Sequence, residues 1–125
     1  MPMLSAALII VGSAAFLGTV LAVQYMSAKS AAAAPWQIAI LHGLLGIVGL
    51  ICLVWALRGP ARGLDQGTAS FGLISATLIA PAALIGGGMF ALRLLGRRIP
   101  GTLIGVHATL AVSGLVVLAA YVLVG

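Results

Sequence analysis

The chain has 125 residues, of which 63% are hydrophobic and 6% are charged, and its formal net charge is +5. A soluble domain needs far more charge on its surface, so the composition predicts a membrane-embedded protein. The basic residues lie at helix ends or in loops, where anionic lipid headgroups account for them, and nucleic acid is therefore not expected as a partner.

Four apolar stretches are each long enough to cross a hydrocarbon layer of about 30 Å. Short links join them, which predicts an all-α, up-down-up-down bundle that forms a single four-helix domain over residues 1–125. In such a bundle the second and fourth helices run parallel to each other and lie diagonally opposite. The expected spans are about 4–26, 36–57, 70–95 and 101–124.

The segments around these spans carry further signals. The first span is expected to be a retained helix, and cleavage as a signal peptide near Ala31–Ala34 is the alternative. Pro35 and Trp36 open the second span, because proline suits a first helical turn and tryptophan suits the membrane interface. In the third span, Pro81 and Gly86–Gly88 predict a kink or a local unwinding.

Loop charge predicts the orientation. Arg58 and Arg62 lie in the middle loop, whereas four basic residues lie near the loops after spans one and three: Lys29, Arg93, Arg97 and Arg98. The positive-inside rule therefore places the loops around Lys29 and Arg97 in the cytoplasm and both termini outside. We expect an integral protein of the bacterial inner membrane, with the lipid bilayer as its surroundings.

A weak internal repeat accompanies the four spans. A shift of 65 positions places His42 on His107 and aligns HGLLGIVGL, which starts at His42, with HATLAVSGL. Duplication of a two-helix unit would explain this match. Chance similarity between apolar helices of low complexity is the alternative.

The two histidines, His42 and His107, are the ionisable side chains expected deep in the hydrocarbon region, where such groups are costly and commonly functional. Each lies six residues after the start of its span, so both are expected at the same depth, roughly 9 Å below the helix ends. Diagonal helices lie on the order of 14 Å apart. This gap suits two imidazoles that hold one haem iron between them.

Small residues follow both histidines on the same helix face: Gly46 and Gly49 after His42, and Ala111 and Gly114 after His107. They could leave room for a porphyrin, whose propionates would point towards Arg97, Arg98 and Lys29. Close packing of membrane helices is the other explanation for such small residues. Likewise, each histidine could simply be hydrogen-bonded to a carbonyl or to a hydroxyl such as those of Thr109 and Ser113.

Other chemistries lack the residues that they need. Zinc requires three or four protein ligands, and neither Cys52 nor Asp65 is placed to complete such a set. No nucleophile–base pair, carboxylate pair or phosphate-binding loop is present, which argues against hydrolysis and phosphoryl transfer. A haem would be held without covalent attachment, because the chain has a single cysteine and no CxxCH motif.

With His42 on the second span and His107 on the fourth, the chain resembles the four-helix integral-membrane b-type cytochromes. This resemblance implies a bundle that binds haem b through histidines and transfers electrons. In that family each ligand helix carries a second histidine about fourteen residues further on. Ala56 and Tyr121 stand at those positions here, so the resemblance implies one haem site only.

The sequence therefore predicts a membrane cytochrome that passes single electrons, with a quinone or a partner subunit as its redox partner, rather than a stand-alone enzyme. Two alternatives remain open at this point. One is a non-redox structural or assembly subunit of a larger membrane complex, as part of a homo- or hetero-oligomer. The other is a small channel or transporter in which the histidines relay protons.

Overall fold

A computed structural model describes residues 2–27 and 35–124 of the chain. The described residues form four α-helices, each long and apolar enough to cross a membrane, with mean hydropathies between 1.8 and 2.5. The four predicted spans are thereby confirmed. The helices are α1 (Pro2–Ser27), α2 (Trp36–Ala56), α3 (Phe71–Leu94) and α4 (Gly101–Val124).

The end of α3 is set by a glycine in the left-handed conformation. Gly96 has φ of +66°, which an L side chain rarely adopts. Its N–H donates to the carbonyl of Arg93 (3.0 Å), and the N–H of Arg97 donates to the carbonyl of Leu92 (2.9 Å). These two bonds form a Schellman motif, which satisfies the last carbonyls of the helix and directs the chain into the α3–α4 loop.

Two helical hairpins build the bundle. α1 lies closest to antiparallel α2, and α3 lies closest to antiparallel α4, while less extensive α1–α4 and α2–α3 contacts join the hairpins into a ring. Among the described residues no Cα of α2 comes within 8 Å of one in α4. The predicted diagonal placement of the second and fourth helices is therefore confirmed.

The hydrophobic core lies at the end of the bundle that holds the two termini and the α2–α3 loop. Every helix contributes to it, and its members are Leu4, Ala7, Val11, Leu53, Ala76, Ile79, Leu118 and Tyr121. In contrast, none of the described residues within 15–27, 35–48 or 83–113 is buried. Among the described residues, the buried core is thus confined to one end of the bundle.

α3 passes through Pro81 and Gly86–Gly88 as one continuous helix. The local unwinding proposed for this segment is therefore wrong. A proline removes only one N–H donor from a helix. The glycines keep negative φ values. Within a lipid bilayer, backbone N–H and C=O groups can form hydrogen bonds only inside the helix, and this favours a continuous helix.

Candidate functional site: a histidine pair between two hairpins

The two histidines meet across the middle of the bundle. His42 belongs to α2 and His107 to α4, and their ring centroids are 5.8 Å apart with an angle of 77° between the ring planes. They come from diagonal helices with the same direction, so the equal depth expected from the sequence brings the rings together. Both rings are half-buried.

A backbone carbonyl of the neighbouring helix orients each imidazole. Nδ1 of His42 lies 2.8 Å from the carbonyl oxygen of Ala14 in α1, and Nδ1 of His107 lies 2.8 Å from that of Ala82 in α3. A carbonyl can only accept, so each Nδ1 carries the proton and donates it. The neutral imidazole then has its lone pair on Nε2, on the other side of the ring from the carbonyl.

The hydroxyls that we considered as partners for the histidines do not bond to them. Thr109 Oγ1 donates to the Gly105 carbonyl of its own helix at 2.8 Å, and Ser113 is exposed. Among the described residues no hydrogen bond reaches Nε2 of either histidine, and neither Nε2 is sealed from its surroundings. Both Nε2 atoms are therefore available to a ligand.

Two glycines lie against the histidine rings: Gly86, which the sequence singled out only as part of Gly86–Gly88, and Gly18, which it did not single out. A Cβ built on Gly18 of α1 would lie 2.8 Å from Cε1 of His42, and one on Gly86 of α3 would lie 3.1 Å from Cε1 of His107. The overlooked signal is a second repeat with its own shift. At 68 positions, AAFLG (14–18) aligns with AALIG (82–86), whereas the histidine helices align at 65.

The packing contacts of the two hairpins repeat with the same pair of shifts. A Cβ on Gly49 would lie 2.6 Å from Val11 Cγ2, and a Cβ on Gly114 would lie 2.6 Å from Ile79 Cγ1. Val11 and Ile79 are 68 positions apart, and the two glycines are 65 apart. In each hairpin, therefore, a glycine of the second helix packs against a β-branched residue of the first, and the histidine packs against a glycine of the first. This repetition favours duplication over chance similarity.

The small residues after the histidines divide into two groups. Gly49 and Gly114 are buried, and side chains of neighbouring helices fill the space beside them, so the structure favours helix packing as their role. At Gly46 a Cβ would meet no atom within 4 Å, and Ala111 is half-buried at the matching position of α4. These two positions remain candidates for contact with a cofactor.

Arginines lie at the same end of the bundle as the histidines. Arg97 and Arg98 are exposed in the α3–α4 loop, beside the start of the helix that carries His107. Lys29 lies outside the described residues. The same end contains Gln24 of α1, whose Oε1 is buried and accepts no hydrogen bond from the described part of the chain.

The described residues contain no group of three or more His, Cys, Asp or Glu side chains that could hold a metal ion together. Comparisons with protein-family models, with curated proteins and with solved structures find no match for this chain.

Proposed function

We propose that the protein is a membrane-integral b-type cytochrome that binds one haem between His42 and His107 and transfers single electrons. The observation that supports this most is the pair of imidazoles on diagonal helices, each with its Nδ1 proton held by a carbonyl and its Nε2 without a partner among the described residues. Metal-ligating histidines commonly have this arrangement, because a bond at the far nitrogen fixes the tautomer and orients the ring.

The spacing of the rings suits a single metal ion between them. Imidazole nitrogens bind first-row metals at about 2.0–2.1 Å, so two imidazoles that hold one ion between them would have ring centres about 6.4 Å apart. The observed separation is 5.8 Å.

A porphyrin would lie in the half of the bundle in which no described residue is buried, that is, within 15–27, 35–48 and 83–113. Gly46 and Ala111 would border the ring, and Gly49 and Gly114 would keep the helices close beneath it. The exposed Arg97 and Arg98 could pair with the propionates.

When bound, the haem would supply one-electron redox chemistry. The chain's own residues would bind and orient the haem: His42 and His107 would supply the nitrogens that hold the iron, and the carbonyls of Ala14 and Ala82 hold the imidazole rings in place. The apolar surroundings would limit access of water to the haem and so tune its reduction potential.

The partners and orientation that we propose follow from the same argument. A quinone in the bilayer or a redox subunit in an oligomer would exchange the electron. Lys29 and Arg97 would lie at the cytoplasmic surface of a bacterial inner membrane and both termini outside it, since basic loops are retained there.

The test is an absorption spectrum of protein purified from haem-replete cells, oxidised and then reduced. We expect a low-spin, six-coordinate b-type spectrum with one haem per chain. His42→Ala and His107→Ala should each give high-spin or empty protein, and the double variant should contain no haem. Thr109→Ala is the matched control, because its hydroxyl bonds only to its own helix.

Two other outcomes would replace this proposal. Colourless wild-type protein would favour the structural subunit, in which the carbonyl bonds serve only to lock the two helices of each hairpin together. Colourless protein with proton flux through vesicles, abolished in both histidine variants, would favour the proton relay. Single variants with an unchanged spectrum and haem content would place the ligands elsewhere.

A further inference from the structure

Each hairpin repeats one arrangement of three groups: a histidine on its second helix, and a carbonyl acceptor and a glycine on its first. The acceptor and the glycine are four residues apart in both halves, Ala14 with Gly18 and Ala82 with Gly86. In an α-helix the carbonyl of residue i points towards residue i+4. The side chain at i+4 therefore borders any group that approaches that carbonyl from another helix.

A side chain at either glycine would compete with the imidazole for this space. At Gly18 a Cβ would lie 2.8 Å from Cε1 and 3.2 Å from Nδ1 of His42. At Gly86 the corresponding distances to His107 are 3.1 and 3.4 Å. Since Nδ1 is the atom that donates to the carbonyl, a methyl group would push the ring away from its acceptor.

We propose that Gly18 and Gly86 are positioning residues for His42 and His107. Because they lack a side chain, each imidazole can lie on the neighbouring helix with its Nδ1 proton on the carbonyl. This contact fixes the tautomer and leaves Nε2 free to act. The part of this inference that concerns haem ligands rests on the proposed function. The part that concerns the histidine tautomers does not.

The test uses full-length protein with ¹⁵N-labelled histidine in detergent micelles, without haem, at a pH where both imidazoles are neutral. Wild-type protein should show both histidines as the Nδ1–H tautomer. Gly18→Ala should shift His42 towards the Nε2–H tautomer and leave His107 unchanged, and Gly86→Ala should do the reverse. Gly12→Ala in α1 and Gly87→Ala in α3 are matched controls, because a Cβ there meets no atom within 4 Å.

A second measurement on the same four variants is haem affinity. We expect a loss of about 10–100-fold for Gly18→Ala and Gly86→Ala, as for other groups that orient metal ligands, and no loss for the controls. Gly86→Ala has the milder contact and keeps the inference testable if Gly18→Ala does not fold.

The two measurements separate failure of this inference from failure of the proposed function. If the wild-type protein binds no haem but the tautomers change as stated, the positioning role stands and the cytochrome proposal fails. Unchanged tautomers in both glycine variants would overturn the positioning role, whatever the protein's colour.

Discussion

Substituting Gly114 separates helix packing from cofactor binding along the face that follows His107. A methyl group at Gly114 would lie 2.6 Å from Ile79 Cγ1 and 3.3 Å from the Ser75 carbonyl oxygen. Favourable contact between carbon atoms needs about 3.5–4.0 Å, so α3 and α4 would have to separate by roughly 1 Å or Ile79 would have to leave its position. At Gly46 the same methyl group would meet no atom within 4 Å.

The magnitude follows from two opposing terms. Overpacking of this kind costs about 1–3 kcal/mol, whereas replacing glycine by alanine within a helix gains up to about 1 kcal/mol. Gly114→Ala should therefore be destabilised by about 0–3 kcal/mol, and Gly46→Ala should be stabilised by up to about 1 kcal/mol. The helix-propensity term cancels between the two variants, which leaves a difference of about 1–3 kcal/mol in unfolding free energy.

The assay is unfolding of haem-free protein in mixed micelles by increasing dodecyl sulfate, followed by far-ultraviolet circular dichroism. Equal stability of Gly114→Ala and Gly46→Ala would refute the packing role assigned to Gly114. A second arm uses Gly46→Leu. It should lower the haem content of protein from haem-replete cells and leave the haem-free stability near that of wild type, because the space beside Gly46 is open.

Two further predictions concern the end of the bundle near the histidines and the orientation in the membrane. Tyr25→Phe should reduce the unfolding free energy by about 0.5–1.5 kcal/mol, because the Tyr25 hydroxyl accepts a hydrogen bond from the Ile99 N–H at 2.8 Å and so links α1 to the α3–α4 loop. The same unfolding assay measures this change, and an unchanged midpoint would exclude a stabilising role for the hydrogen bond. A periplasmic reporter fused after α4 should be active, because the positive-inside rule places both termini outside the cytoplasm; activity of a cytoplasmic reporter alone would reverse the orientation and leave the four spans in place.

The fold could be predicted well because the signals for membrane helices are local. Four apolar stretches of sufficient length, separated by polar or glycine-containing links, suffice to define four spans in a bilayer, since no other open backbone conformation satisfies its hydrogen bonds there. The predicted span of about 70–95 and the observed α3 (Phe71–Leu94) differ by one residue at each end. Equal depth of the histidines followed from counting residues from each helix start.

The surroundings of the histidines were less predictable. A carbonyl acceptor has no signature in the side-chain sequence, so Ala14 and Ala82 could not be singled out as partners. The glycines at 18 and 86 align only at a shift of 68, because Gly86 lies 21 positions before His107 whereas Gly18 lies 24 positions before His42. A single shift of 65 positions aligns the two histidines but does not align Gly18 with Gly86.

The sequence by itself determined that the chain has four stretches long and apolar enough to cross a membrane and that two histidines lie at one depth on parallel helices. Only the tertiary structure decided that the rings meet 5.8 Å apart and that each is held by a carbonyl of its own hairpin. It also decided that Gly49 and Gly114 pack against neighbouring helices whereas Gly46 borders open space. The physical reason is that length and hydropathy fix where a helix lies in the bilayer, but its rotation about its own axis depends on which neighbouring side chains fit against it.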